Sequence, residues 1–266
     1  MTLRRAFADL SVGQVHFAEC GAKDAPAVLL LHQSPRSYQE YRHVLPLLGV
    51  ERRAIAMDTV GFGDSASGAQ PASIALWAAV ACELLDYLQL EQVDVVGHHT
   101  GGVIAVELAA SFSARVRALV LSSTPYTDAA FRAARAKSPP IDHVEPSADG
   151  SHLQALWQKR QGFYPPNRSD LLEAFVLDAL KASGGLEDGH RAVASYRMED
   201  SIHRVRQPTL IIRAPDDPFA SPHALELQHH LPQAQIVDIA GGMVPLPDQL
   251  PAPFAATVLD FLRTLP

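Results

Sequence analysis

The sequence predicts an α/β fold: a mostly parallel central sheet with helices on both faces and a helical cap inserted near its middle. Three observations predict it. Short apolar runs alternate with longer runs of helical periodicity through the first 125 residues. Strand-like runs then stop between 126 and 204 and resume at 205. The chain, 266 residues with 47% hydrophobic and 19% charged, is long and apolar enough for one large core.

The elements follow in order. GQVHFAEC (13–20) alternates after a turn glycine and reads as a strand. PAVLLLH (26–32) and RAIAMD (53–58) are short apolar runs, as in strands buried on both faces. Residues 74–90 are too long for a strand and space their apolar side chains as a helix. VDVVG (93–97) is a buried strand, 102–112 a helix and 116–123 a strand. Strand and helix in alternation imply crossovers, hence parallel pairing. Helical pieces at 128–136 and 170–182 follow, among SPP, PSADGS, YPPNRS and SGGLEDG breaks. A strand at 208–214, a helix at 221–231 and a strand at 234–240 restore the pattern. The last helix starts near Pro251 or Pro253, since a first turn tolerates proline, and puts Phe254, Val258, Phe261 and Leu262 on one face. The expected core is 1–125 plus 205–266, with 126–204 as the cap.

Composition excludes several classes. A net charge of −7 with no block of basic residues argues against a nucleic-acid surface. Cys20 and Cys82 are too few for a disulfide framework and read as buried thiols. MTLRRAFADL is not followed by a signal-type apolar run, and no segment approaches the ~20 apolar residues of a membrane span. The expectation is a cytoplasmic protein whose partner is a small molecule, with a homodimer left open.

VVGHHTGG (95–102) runs from a strand through a glycine-flanked turn into a helix. Small residues are needed because the strand end and helix start nearly touch. The central residue, His99, is forced into strained backbone and presented at the sheet's carboxyl edge. Histidine tolerates positive φ better than most side chains. The Thr100 N–H, opening the helix, can donate to developing negative charge.

Four motifs together resemble the α/β-hydrolase superfamily, most of all its capped branch of epoxide hydrolases, haloalkane dehalogenases and C–C bond hydrolases. LLLHQSPRS (29–37) is similar to the branch's H-G-x-P loop, with Gln33 in place of glycine. AMDTVGFGDS (56–65) matches its D-x-x-G-x-G-x-S segment, where Asp58 is structural. VVGHHTGG resembles the nucleophile elbow, and PTLIIRAPDDPFASP (208–222) the loop of the catalytic acid. The resemblance implies that the acid is Asp217 and that the Ser34 and Thr100 N–H groups form an oxyanion hole. It also exposes two departures. His99 stands where Ser, Asp or Cys is usual, and AGGMVPLPDQLP puts Met243 or Val244 where the catalytic histidine belongs. The triad is degenerate.

The residues leave these roles open. His99 is a proton-transfer group or a polar plug, and Asp217 is its conceivable partner in a dyad. His98 faces the pocket or packs beneath the cap. Gln33 contacts a ligand or caps its turn. Arg36 pairs with a substrate carboxylate or a surface acid. Tyr126, Trp157, Phe163, Tyr164 and Met243 line the pocket or fill cores. Side chains at 98 and 99 diverge, so no metal site is expected, and no cofactor is implied. The expected function is proton transfer or water activation by His99 on a small apolar molecule, without a serine acyl-enzyme. The alternatives are a lyase, decarboxylase or isomerase, or a non-catalytic binding protein.

Overall fold

The computed structural model describes residues 2–68 and 71–265; residues 1 and 266, the outer ends of the expected core, lie outside them, as do 69 and 70. The sheet has eight strands: β1 Arg4–Leu10, β2 Gly13–Cys20, β3 Ala27–Leu31, β4 Arg53–Met57, β5 Val93–His98, β6 Val116–Ser122, β7 Thr209–Arg213 and β8 Gln235–Asp238. Their order is β1-β2-β4-β3-β5-β6-β7-β8. β1–β2 and β2–β4 pair antiparallel, and the remaining pairs are parallel. Strand β1 was not anticipated. It is an edge strand whose inward face is Ala6, Ala8 and Leu10, and the small alanines and the exposed Phe7 blur its alternation.

Ten α-helices accompany the sheet among the described residues: α1 Leu45–Leu48, α2 Ile74–Tyr87, α3 Thr100–Ser111, α4 Ala129–Ala136, α5 Ser151–Gln161, α6 Ser169–Leu180, α7 Asp188–Ser195, α8 Ala224–His230, α9 Leu246–Gln249 and α10 Pro251–Arg263. The segment read as one helix over 221–231 opens with a 3-10 turn at Ser221–His223 before α8. Strand β3 shows why continuous apolar runs mark the sheet's centre: Leu29 and Leu31 join the core on one face, Val28 and Leu30 that on the other. Both cysteines are buried free thiols. No helix among the described residues is long and apolar enough to cross a membrane.

The order reverses at β3, which lies between β4 and β5. At such a switch point the loops leaving adjacent strands diverge and open a crevice. The loop after β3 and the elbow after β5 flank it. Helices α4, α5 and α7, all between β6 and β7, contribute the opposite wall, with α6 packed on α5. Arg36 ties that wall down: its Nε lies 2.8 Å from Asp178 in α6, and its Nη2 lies 3.1 Å from Asp248 in α9. Ser37 also donates to Asp178 (2.8 Å).

Candidate active site

The elbow is as tight as its glycines require. A Cβ on Gly97 would lie 2.2 Å from the Gly101 carbonyl oxygen, and one on Gly101 1.9 Å from that of Leu31. His99 sits between them at φ 47° and ψ −113°. The neighbouring backbone holds it there: its N–H donates to the Ser122 carbonyl (3.0 Å), and its carbonyl accepts from Gly102 N–H (2.9 Å). Such a conformation costs about 1–3 kcal/mol and persists only where its surroundings enforce it.

From this position the imidazole reaches Asp217 directly. Nε2 lies 2.7 Å from Oδ2, with the His99 side chain 15% exposed and Asp217 fully buried. The two atoms are in close polar contact, outside the geometry of a directed hydrogen bond. The other carboxylate oxygen accepts from Phe219 N–H (2.9 Å) and Ala220 N–H (3.2 Å). Burial pushes the Asp217 carboxyl up, but His99 and these N–H donors outweigh it and lower it to about 2. Asp217 is therefore an anion at neutral pH, and Nε2 is turned to it. Nδ1 is the imidazole nitrogen left for a ligand.

Ser34 and Thr100 line the same cavity as His99. Thr100 is the first residue of α3, so its N–H is a free helix-start donor. Ser34 N–H donates to the Thr100 hydroxyl (3.3 Å). Gln33 gives its backbone N–H and its amide group to Glu40 (2.9 and 2.5 Å). Burial raises the Glu40 carboxyl to about 7, against the opposing pull of Arg36 and the Gln33 hydrogen bonds.

A cavity of about 820 Å³, counting its solvent-open part, lies over these groups. Gln33, Ser34, His99 and Thr100 form its floor, and Pro125, Phe219 and Val244 its sides. Phe131, Arg135, Ile141, Arg160, His190 and Val193 face them from the β6–β7 segment. No carboxylate lines it. The wall is apolar with a few donors and imidazoles, the usual make-up of a small-molecule site.

Seven residues expected as candidates for substrate contact lie outside this lining, among them Phe163, which packs on the Phe219 ring, and Tyr164, buried against Phe175. Arg36 is fully buried in its two ion pairs. His98 points beneath the elbow: its Nε2 donates to the Val244 carbonyl and its Nδ1 accepts from the Ser122 hydroxyl, both at 2.9 Å. Burial, then the neighbouring His99 imidazole, lowers His98 to about 3, so it is a neutral structural clamp. Tyr126 turns into the core and stacks on His230 with centroids 4.7 Å apart. Trp157 borders a separate groove with Leu153 and Val176. Met243 does not line the cavity; its neighbour Val244 does.

The reading from sequence missed Asp142, Arg160 and His190. His190 Nε2 lies 2.7 Å from Asp142 Oδ2, the oxygen that also accepts from Arg160 Nη2. Arg160 Nε donates to Asp142 Oδ1 (2.7 Å). These residues are 18 to 48 positions apart in a stretch without motif, so no local spacing announces them. His16, Asp58 and Asp64 also cluster at metal-binding range. Cations already serve them: Arg5 donates to His16 Nε2 (3.1 Å) and pairs with Asp64, as does Lys181 (2.8 Å).

Known proteins share this frame. Epoxide hydrolase 4 of Mus musculus is 30% identical over 113 residues, 42% of this chain and 32% of that protein. 2-Hydroxy-6-oxo-2,4-heptadienoate hydrolase of Pseudomonas putida is 38% identical over 102 residues, 36% of each chain. The matched stretch thus spans about a third of these relatives' length. The solved enol-lactonase of Burkholderia xenovorans LB400 superposes with a TM-score of 0.82 at 19% identity, over 97% of this chain and 100% of that one. A solved hydrolase of Pseudomonas aeruginosa gives 0.79 at 22%, over 97% and 98%. At such identity the likeness is one of fold. The family description "alpha/beta hydrolase fold" matches residues 26–246, and the chain belongs to that family.

Proposed function

We propose that this protein is an enzyme of the hydrolase kind, acting on a small, largely apolar ester or lactone with His99 as general base. The observation that carries the reading is the His99 Nε2–Asp217 Oδ2 contact of 2.7 Å at the crest of the elbow, with the imidazole lining the cavity. Nε2 holds a proton toward Asp217, so Nδ1 accepts one from water. The hydroxide oxygen adds to the carbonyl carbon, and the carbonyl oxygen gains its charge beside the Ser34 and Thr100 N–H donors. Asp217 stabilises the imidazolium that forms. No acyl-enzyme is involved: position 99 carries no hydroxyl, the Thr100 hydroxyl accepts from Ser34 N–H, and the Ser122 hydroxyl is held by His98. Helices α4–α7 serve as a cap that keeps the apolar part of the substrate from water.

The relatives' activities, on epoxides, a hydroxy-oxo-heptadienoate and an enol-lactone, support hydrolytic chemistry under this fold. The test is turnover of p-nitrophenyl butyrate and of a γ-lactone from pH 5 to 9. His99→Ala is expected to lower kcat/KM by about 10²–10⁴. Turnover unaffected by His99→Ala overturns the reading. The absence of a hydroxyl at position 99 also favours a second reading, a lyase or isomerase using the same base. Inert esters and lactones, with His99-dependent proton exchange into a bound carbon acid, would select it.

A further inference from the structure

The cavity holds two imidazoles backed by buried carboxylates. His99 pairs with Asp217 on the floor, and His190 pairs with Asp142 on the wall above it. In both the N···O distance is 2.7 Å, the imidazole side chain is 15% exposed and the carboxylate is sealed. The second couple adjoins the first because α7 starts against the oxyanion loop. A Cβ on Gly189 would lie 2.0 Å from Ser34 Oγ, so only glycine lets the chain approach so closely one residue before His190. Lys or Asn at position 190 could serve as a plain polar lining; the fixed couple behind it is what a proton-transfer group needs.

The couple is firmly held. Asp142 accepts from both Nε and Nη2 of Arg160, and its backbone N–H donates to Glu187. Arg160 is itself buried over the Phe175 ring, at 5.1 Å. The charged groups around His190 are thus Asp142, Arg160, Glu187 and, at the cavity wall, Arg135. Because Nε2 is committed to Asp142, Nδ1 is the nitrogen available to a ligand.

We infer that His190 is a second catalytic residue, the acid that protonates the leaving oxygen, and that Asp142 positions it. This rests on the hydrolytic reading above and extends it to substrates with poor leaving groups, such as alkyl esters and lactones. The protons balance. Water gives one proton to His99 Nδ1 as its oxygen bonds the carbonyl carbon. The bond from that carbon to the leaving oxygen then breaks, and this oxygen takes the proton of protonated His190 Nδ1. Solvent returns a proton from His99 to His190. The direction follows from place: His99 stands beside the oxyanion donors, where the carbonyl is held, and His190 faces it from the opposite wall.

The experiment compares butyrate esters whose leaving groups run from p-nitrophenol to ethanol. His190→Gln is expected to lower kcat/KM for the ethyl ester about 10²-fold more than for the p-nitrophenyl ester, and Asp142→Asn to do so less steeply. His99→Gln should lower the whole series together. An equal loss across the series in His190→Gln marks a merely structural residue and overturns the inference. A second measurement does not depend on turnover. In ¹⁵N-histidine-labelled protein, added p-nitrophenolate should shift the His190 Nδ1 resonance in the wild type, and less in Asp142→Asn. No shift at His190 overturns the inference. If wild-type protein cleaves no ester, the hydrolytic reading falls alone, and the spectra still decide whether His190 meets an oxyanion.

Discussion

At the scale of the residue, one substitution reorganises the site. A family elbow normally presents a short nucleophile that relies on a separate histidine. Here the imidazole occupies the elbow itself and spans the distance to the acid, so the expected histidine position is free to be Met243 or Val244. Val244 is buried, and its carbonyl is held by His98. A serine at position 99 would therefore find no base in reach. We expect a fluorophosphonate probe to leave both the wild type and His99→Ser unlabelled, as read by intact-protein mass spectrometry. Rapid stoichiometric labelling of His99→Ser would show that a base exists elsewhere. Histidine at this position was legible in the sequence, and so was its strained setting, because both follow from a local glycine pattern. The nitrogen that meets Asp217 was not, because rotamers depend on partners far along the chain.

At the scale of the element, the strand–turn–helix unit of β5 and α3 does the positioning. Its glycines are contacts, not merely flexible joints. Gly101→Ala would drive a Cβ into the Leu31 carbonyl oxygen, and that oxygen belongs to the central strand β3 and cannot swing aside. Overpacking against backbone costs at least ~1–3 kcal/mol, with His99 displaced as the strand and helix separate. Chemical denaturation should show that loss for Gly101→Ala, while Gly150→Ala, with open space around its Cβ position, should lose less despite its positive φ. Equal losses would mean that the elbow has slack. The two edge strands differ in sequence signal. β1 went unread because only Ala8 is fully buried there, whereas the equally exposed β8 was legible from its apolar run at 234–240.

At the scale of the whole molecule, buried charge joins the sheet to its helical wall. Arg36 is surrounded by Asp178 and Asp248 from two different elements. Removing only the cation leaves two buried acids uncompensated, and Arg36→Met should destabilise by ~3–5 kcal/mol in urea unfolding. A loss under 1 kcal/mol would show that the carboxylates reach water. The pH profile of stability depends on two other buried groups. The folded pKa of Glu40, about 7, is above its unfolded value, so its contribution is full below about pH 4.5 and is lost as pH rises through 7. That of His98, about 3, is below its unfolded value, so its contribution is full above about pH 6.5 and is lost as pH falls through 3. Between pH 4.5 and 6.5 the two slopes oppose each other. Each is at most about 1.4 kcal/mol per pH unit. Glu40→Gln should therefore make stability rise with pH across this window, and His98→Gln should make it fall. Unchanged slopes in both variants would mean that neither group is held as its surroundings imply.

The family resemblance implied Asp217 as the acid; the sequence by itself determined the alternation of strands and helices and the glycine-tight elbow with an imidazole at its crest. Each is set within a dozen residues by steric limits and hydrophobic period, so each can be read locally. The tertiary structure decided which side chains meet. Arg36 finds acids 142 and 212 positions away, and His190 finds Asp142 across 48, because folding brings loops from separate strand ends to one sheet edge. No local rule specifies those partners; they are fixed by the need of every buried charge for an opposite one.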